Sequence, residues 1–91
     1  MSAGIRFTES AKWQLHSALH AVDRVDPDLA KKLLESVRRV SQDAALLEEE
    51  GRPLPELPAL LYREVRVGSH RLFFRHQGDE IWIAGIWKTD S

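Results

Sequence analysis

The side chains most able to handle an anion sit towards the end of the chain. Arg63, Arg66, Arg71, Arg75 and Lys88 supply positive charge, and Glu64 with the upstream Glu56 supplies carboxylates. Cations bind phosphates or carboxylates, and the interleaved Tyr62, Phe73 and Trp82 offer stacking surface. Acid–base work on a phosphate needs a base, a cation and a proton donor. Arginine stays protonated and cannot be the base, which leaves Glu64 and Glu56. An ordinary carboxylate ionises near pH ~4 and is a weak base unless its pKa is raised. His16 and His20 are spaced four apart, as helical metal ligands can be. No third ligand accompanies them, so they read as helix-surface residues, and neither a metal nor a cofactor is expected.

The elements that must position these groups are legible from patterning. Ile5 to Thr8 alternates apolar and polar, as a short strand does. Ser10 then suits a helix N-cap, and Ala11, Leu15, Ala18, Leu19 and Val22 form one helical stripe with Trp13 at its edge. Asp26-Pro27 restarts a helix, because Asp26 can cap and Pro27 loses nothing at the first helical position. Leu29, Leu33, Val37 and Val40 give that second helix its apolar face, opposite Lys31, Lys32, Arg38 and Arg39. The two make an αα-hairpin. A break is expected near Ser41 to Asp43, since Glu48-Glu49-Glu50 would otherwise crowd the negative end of the helix dipole. Gly51 to Pro58 holds three prolines, which remove donors and fix φ, so it reads as a stiff connector.

Three strands are expected after it: Leu60–Val67, His70–Gln77 and Glu80–Lys88, joined by two-residue turns at Gly68-Ser69 and Gly78-Asp79. The fold class is α+β with the order β-α-α-β-β-β, an N-terminal strand and helical hairpin packed on one face of a mostly antiparallel sheet. A regular register pairs Val67 with His70, Arg66 with Arg71, Val65 with Leu72, Phe74 with Ile83 and Arg71 with Ile86. Alternation then puts Leu61, Arg63, Val65, Val67, Leu72, Phe74, Ile81, Ile83 and Trp87 on the helix side. The open side receives Tyr62, Glu64, Arg66, Arg71, Phe73, Arg75, Trp82, Ala84, Ile86 and Lys88. Arg75 over Trp82 is the cation–π pair this arrangement offers. Arg63, among apolar neighbours, should reach the sheet edge or pair with an acid such as Asp28.

Totals narrow the class. Ninety-one residues, 43% hydrophobic and 30% charged, describe one globular domain spanning residues 1–91. Cysteine is absent, which excludes disulfides and thiolate metal sites. No apolar run approaches the roughly 20 residues of a membrane span, and no signal peptide is evident, so a cytoplasmic protein is expected. The net charge of −1 argues against wholesale nucleic-acid binding. Through Pro58 there are eight basic and ten acidic residues, and from Ala59 five and four, so a local basic face remains open.

The ordered succession of Gly51-Arg52-Pro53-Leu54-Pro55-Glu56-Leu57, Tyr62-Arg63-Glu64-Val65-Arg66-Val67, His70-Arg71-Leu72-Phe73-Phe74-Arg75 and Gly78-Asp79-Glu80-Ile81-Trp82-Ile83 resembles the RelE/ParE toxins of type II toxin–antitoxin modules, and ParE more than RelE. The resemblance spans nearly the whole chain. It implies a toxin of a plasmid-stabilisation type module that a cognate antitoxin neutralises. ParE-like members act on DNA gyrase, and RelE-like members cut mRNA on the ribosome. The nuclease reading would use Arg71 with Glu64 or Glu56. RelE-like nucleases usually place a histidine or tyrosine near the C-terminus, whereas this chain ends Trp87-Lys88-Thr89-Asp90-Ser91. The expectation is therefore a ParE-like gyrase inhibitor with a partner face of Tyr62, Arg66, Arg71, Phe73, Arg75, Trp82 and Lys88. A ribosome-dependent endoribonuclease is the alternative, and a non-toxic interaction domain keeping the fold the third reading.

Overall fold

The computed structural model describes residues 4–54, 56 and 61–89. Strand β1 (Gly4–Phe7) leads into helix α1 (Glu9–Asp23), α2 (Pro27–Ser41) and α3 (Ala44–Glu50). The chain continues through β2 (Arg52–Pro53), β3 (Arg63–Val67), β4 (His70–Gln77) and β5 (Glu80–Lys88). The five strands form one sheet in the order β1-β5-β4-β3-β2, with β1 parallel to β5 and the other neighbours antiparallel. This is the expected α+β arrangement, enlarged by α3 and the short edge strand β2. No helix among the described residues is long and apolar enough to cross a membrane.

The caps explain the helix boundaries. Thr8, not Ser10, caps α1: its hydroxyl accepts the Ala11 amide at 3.0 Å. Thr8 wins because its own amide already donates to the Ile83 carbonyl at 3.0 Å, so strand pairing ends where the helix begins. Asp26 caps α2 through the Asp28 and Leu29 amides, with Pro27 at the first helical position. The break at Ser41 to Asp43 is present, and Asp43 caps α3 through the Leu46 amide at 3.1 Å. Glu50 at the end of α3 is met by Arg39 at 3.3 Å, and Glu48 lies 3.4 Å from His76.

Ala11, Leu33, Val37, Val40 and Leu47 pack on Val65, Val67, Leu72, Phe74, Ile81 and Ile83 to make the core. Two apolar expectations on the helices fail. Trp13 is 70% exposed rather than covering the stripe's edge, and Leu29 gives way to Ala30, which shares the turn spacing of Leu33, Val37 and Val40. Leu61 precedes the strand and is exposed, and Leu60 lies outside the described residues. Gly51 lets α3 and β4 close together, since a Cβ there would stand 2.6 Å from Phe74 Cζ and 2.7 Å from the Leu47 carbonyl. Arg63 pairs with no acid among the described residues; its guanidinium donates to the Gly51 carbonyl at 3.1 Å, beyond the end of α3.

Both turns are the tight ones anticipated, with Gly68 and Gly78 at φ of 64° and 61°. The β3–β4 register is as expected from Arg63 to Val67, but the strand starts at Arg63, so the expected pairing of Tyr62 with Arg75 is not part of the ladder. The β4–β5 register holds from Gln77–Glu80 to Phe74–Ile83 and then shifts, because Phe73 pairs with Gly85 and Ala84 is left over as a bulge. Arg71 therefore pairs with Trp87 rather than Ile86. One extra residue exchanges the faces of everything that follows. Ile86 turns into the core, Trp87 turns out to 55% exposure, and Lys88 joins His70 on the helix side. Two long-range contacts hold the bulge: Gln14 Oε1 accepts the Ile86 amide at 2.9 Å, and the Thr8 hydroxyl donates to the Ala84 carbonyl at 3.4 Å.

Candidate functional site

The open face of the sheet is organised by Arg71, near the start of the central strand β4. Its two terminal nitrogens reach both oxygens of Glu56 at 3.2 and 2.9 Å, a planar two-bond pair. One of those nitrogens also reaches Glu64 Oε2 on β3 at 2.9 Å. The guanidinium stands 5.3 Å from the centre of the Phe73 ring. Phe73 in turn meets Trp87 edge-to-face, with centroids 4.9 Å apart and planes at 74°. The side chains of Arg71 and Glu64 are 18% and 10% exposed, whereas Glu56 is 57% exposed.

The charges set one another. The Arg71 hydrogen bond, followed by the Glu56 backbone amide, holds the Glu56 carboxyl below its ordinary value. The same contact, more than any other, raises Arg71. A carboxylate pushed down is a worse base than a free one. Glu64 is committed to the same cation. Three of the residues considered for phosphate chemistry are thus brought together, but in a mutually satisfied cluster. His70 and His76 lie on the opposite face in β4, so neither can act as the acid beside Arg71. His70 is buried there, and burial, then Lys88, lowers its pKa. Among the described residues no three or more His, Asp or Glu side chains converge as a metal would require.

The remaining expected residues divide. Arg75 is exposed, donates to Gln77 at 2.9 Å and stands 5.7 Å from the Tyr62 ring centre, so its aromatic partner is Tyr62 and not Trp82. Trp82 pairs across the strands with Arg75 and Arg6. Arg66 is exposed beside Glu64, and Arg52 on β2 pairs with Glu64 from the other side. Lys88 is not on this face at all, because the bulge carries it to the helix side. Trp87 and Arg52 belong to the face without having been expected there. Gly85 inside an apolar strand was the available signal for Trp87, since a lone glycine there often marks a bulge.

Residues 5–91 match the family model described as the ParE toxin of the parDE type II toxin–antitoxin system. The chain belongs to this family. It is a type II toxin–antitoxin toxin of the RelE/ParE superfamily, as the resemblance implied. Two solved structures are similar in fold. A chain of the chromosomal ParDE system from P. aeruginosa has a TM-score of 0.73 and 19% identity, covering 97% of each chain. A chain of the toxin–antitoxin complex RelBE2 from Mycobacterium tuberculosis has a TM-score of 0.64 and 19% identity, covering 98% of this chain and 100% of that one. A search of curated proteins gives no match. Within a ParE-family toxin, the Arg71 cluster and the aromatic pair beside it are the most organised feature of the exposed sheet surface.

Proposed function

We propose that this ParE-family chain is a toxin that acts through protein contacts, inhibiting DNA gyrase, and that a cognate antitoxin neutralises it by binding. The observation that carries the reading is the state of Arg71. Its guanidinium, the group a nuclease would turn on a scissile phosphate, is hydrogen-bonded to Glu56 and Glu64. Both candidate bases are consumed in the same contact, and no imidazole shares the face. What the face does offer is aromatic and guanidinium surface: exposed Trp87 and half-buried Trp82 and Tyr62, with exposed Arg66 and Arg75. Such groups dominate binding energy at protein interfaces. The family match supports the toxin role, and the fold shared with chains of a ParDE system and a RelBE2 complex supports an antitoxin partner. The whole chain acts as one domain, in the cytoplasm, where both gyrase and the alternative target are found.

Incubation with gyrase, DNA and ATP, in parallel with translating ribosomes, separates the mechanisms. Gyrase–DNA cleavage complexes or lost supercoiling are expected, with intact message. Cut message that disappears with Arg71→Ala establishes the ribosome-dependent nuclease instead. Growth unaffected by expression of the chain alone, with no gain in stability from the product of the adjacent small gene, supports the non-toxic interaction domain.

A further inference from the structure

Within hydrogen-bonding distance, two carboxylates share one guanidinium on the open face. They are not equivalent. Glu64 rises from the sheet, is 10% exposed, and with Arg71 makes a complete neutral pair at 2.9 Å. Glu56 comes from the proline-bearing connector, is 57% exposed, and is a second anion on a cation already matched. Exposed ion pairs are weak because water competes for both partners, whereas a buried pair resists loss of either member. The exchangeable member is therefore Glu56. Its seat is a built one: two guanidinium nitrogens in a plane, the Phe73 ring beside them, and the exposed Trp87 ring paired across the strands from Arg71. Arg52 and Arg66 flank Glu64 on the same face, so cationic side chains remain beside the seat once Glu56 leaves.

We infer that the Arg71 fork is a carboxylate-binding site for an acidic side chain of a protein partner, and that Glu56 is its tethered internal occupant. The inference rests on reading this face as the partner-binding face. The group already seated is a planar carboxylate held by both terminal nitrogens, which favours a carboxylate over a nucleic-acid phosphate. The flanking Trp87 and Phe73 rings suit an acidic residue with apolar neighbours. A partner must displace Glu56 to bind, so removing the Glu56 charge strengthens binding.

The test is a titration of the 15N-labelled full chain at pH ~7 and constant ionic strength, following the Arg71 side-chain N–H and Trp87 indole N–H signals. The probes are N-acetyl-Ala-Glu-Ala-amide, its Gln counterpart and inorganic phosphate. E56Q is expected to bind the Glu peptide roughly fivefold more tightly than the natural chain, the weight of an exposed ion pair near the top of its usual range. The Gln peptide is expected to leave both signals unmoved. R71Q combined with E64Q, which leaves no lone buried carboxylate to unfold the chain, should leave the Trp87 indole signal, the reporter that remains, unmoved by the Glu peptide. Equal affinity in E56Q and the natural chain overturns the proposal, as does a response surviving the double substitution. Phosphate binding without Glu-peptide binding overturns it in favour of nucleic acid. No antitoxin, gyrase or ribosome is present, so this result stands apart from the outcome of the target assays.

Discussion

Gln14 on α1 and Ile86 on β5 are 72 positions apart, and the Gln14 carbonyl oxygen accepts the Ile86 amide at 2.9 Å. That bond takes up an amide next to the bulge, where the ladder between β4 and β5 slips by one residue. With the Thr8–Ala84 contact, it holds the bulge that turns Trp87 outward. Replacing Gln14 by Leu leaves the amide with no acceptor, and an unsatisfied buried backbone group costs about 1–3 kcal/mol. Urea unfolding should show a loss in that range. Gly85→Ala should act through the same bond, because its Cβ would stand 2.8 Å from Gln14 Oε1. The two substitutions together should therefore lose less than the sum of the singles.

Gly51 makes a sharper case, since its new Cβ would meet both Phe74 Cζ at 2.6 Å and the Leu47 carbonyl at 2.7 Å. Gly51→Ala is expected to destabilise by about 1–3 kcal/mol, as overpacking does. Phe74→Leu in the same chain should recover only part of the loss, because the Leu47 carbonyl belongs to the backbone and cannot be trimmed. Thermal unfolding of the three variants checks this.

Stability should fall with acidity through His70. Its pKa is lowered in the folded chain from the ordinary 6.5, by burial and then by Lys88. The unfolded chain thus binds a proton at a pH where the folded chain does not, and stability rises with pH across that window. As pH drops below about 6.5, unfolding should become easier, until the folded imidazole also titrates. His70→Gln is expected to flatten the profile there. A second decline at lower pH should come from Glu56, whose folded pKa lies below its ordinary 4.5, and Glu56→Gln should remove it.

Trp87→Ala separates folding from function. The ring is 55% exposed and its structural partner is the Phe73 edge, so about 0.5–1.5 kcal/mol of stability should be lost. As a binding residue beside Arg71 it should matter more. A loss of about 2 kcal/mol or more in partner affinity, roughly thirtyfold in Kd, is expected by calorimetry. Equal small losses in both measurements would leave Trp87 a surface residue only.

Local chemistry determined much of this protein. The turns at Gly68 and Gly78, the Asp26-Pro27 restart, the pause before α3 and the β3–β4 register all follow from neighbouring residues and alternation. So did the family resemblance and the placing of Arg71 and Glu64 on one face, though their ion pair was not foreseen. The tertiary structure alone decided which way β5 faces after Ala84. A bulge depends on whether a distant side chain can satisfy the freed amide, and Gln14 is distant in sequence. It also decided that Glu56 crosses to Arg71, because contact between a connector and a sheet face is not written in either segment's pattern. A period of two carries no memory across an inserted residue, so the bulge that Gln14 and Thr8 hold put Trp87 on the open face and took Lys88 off it.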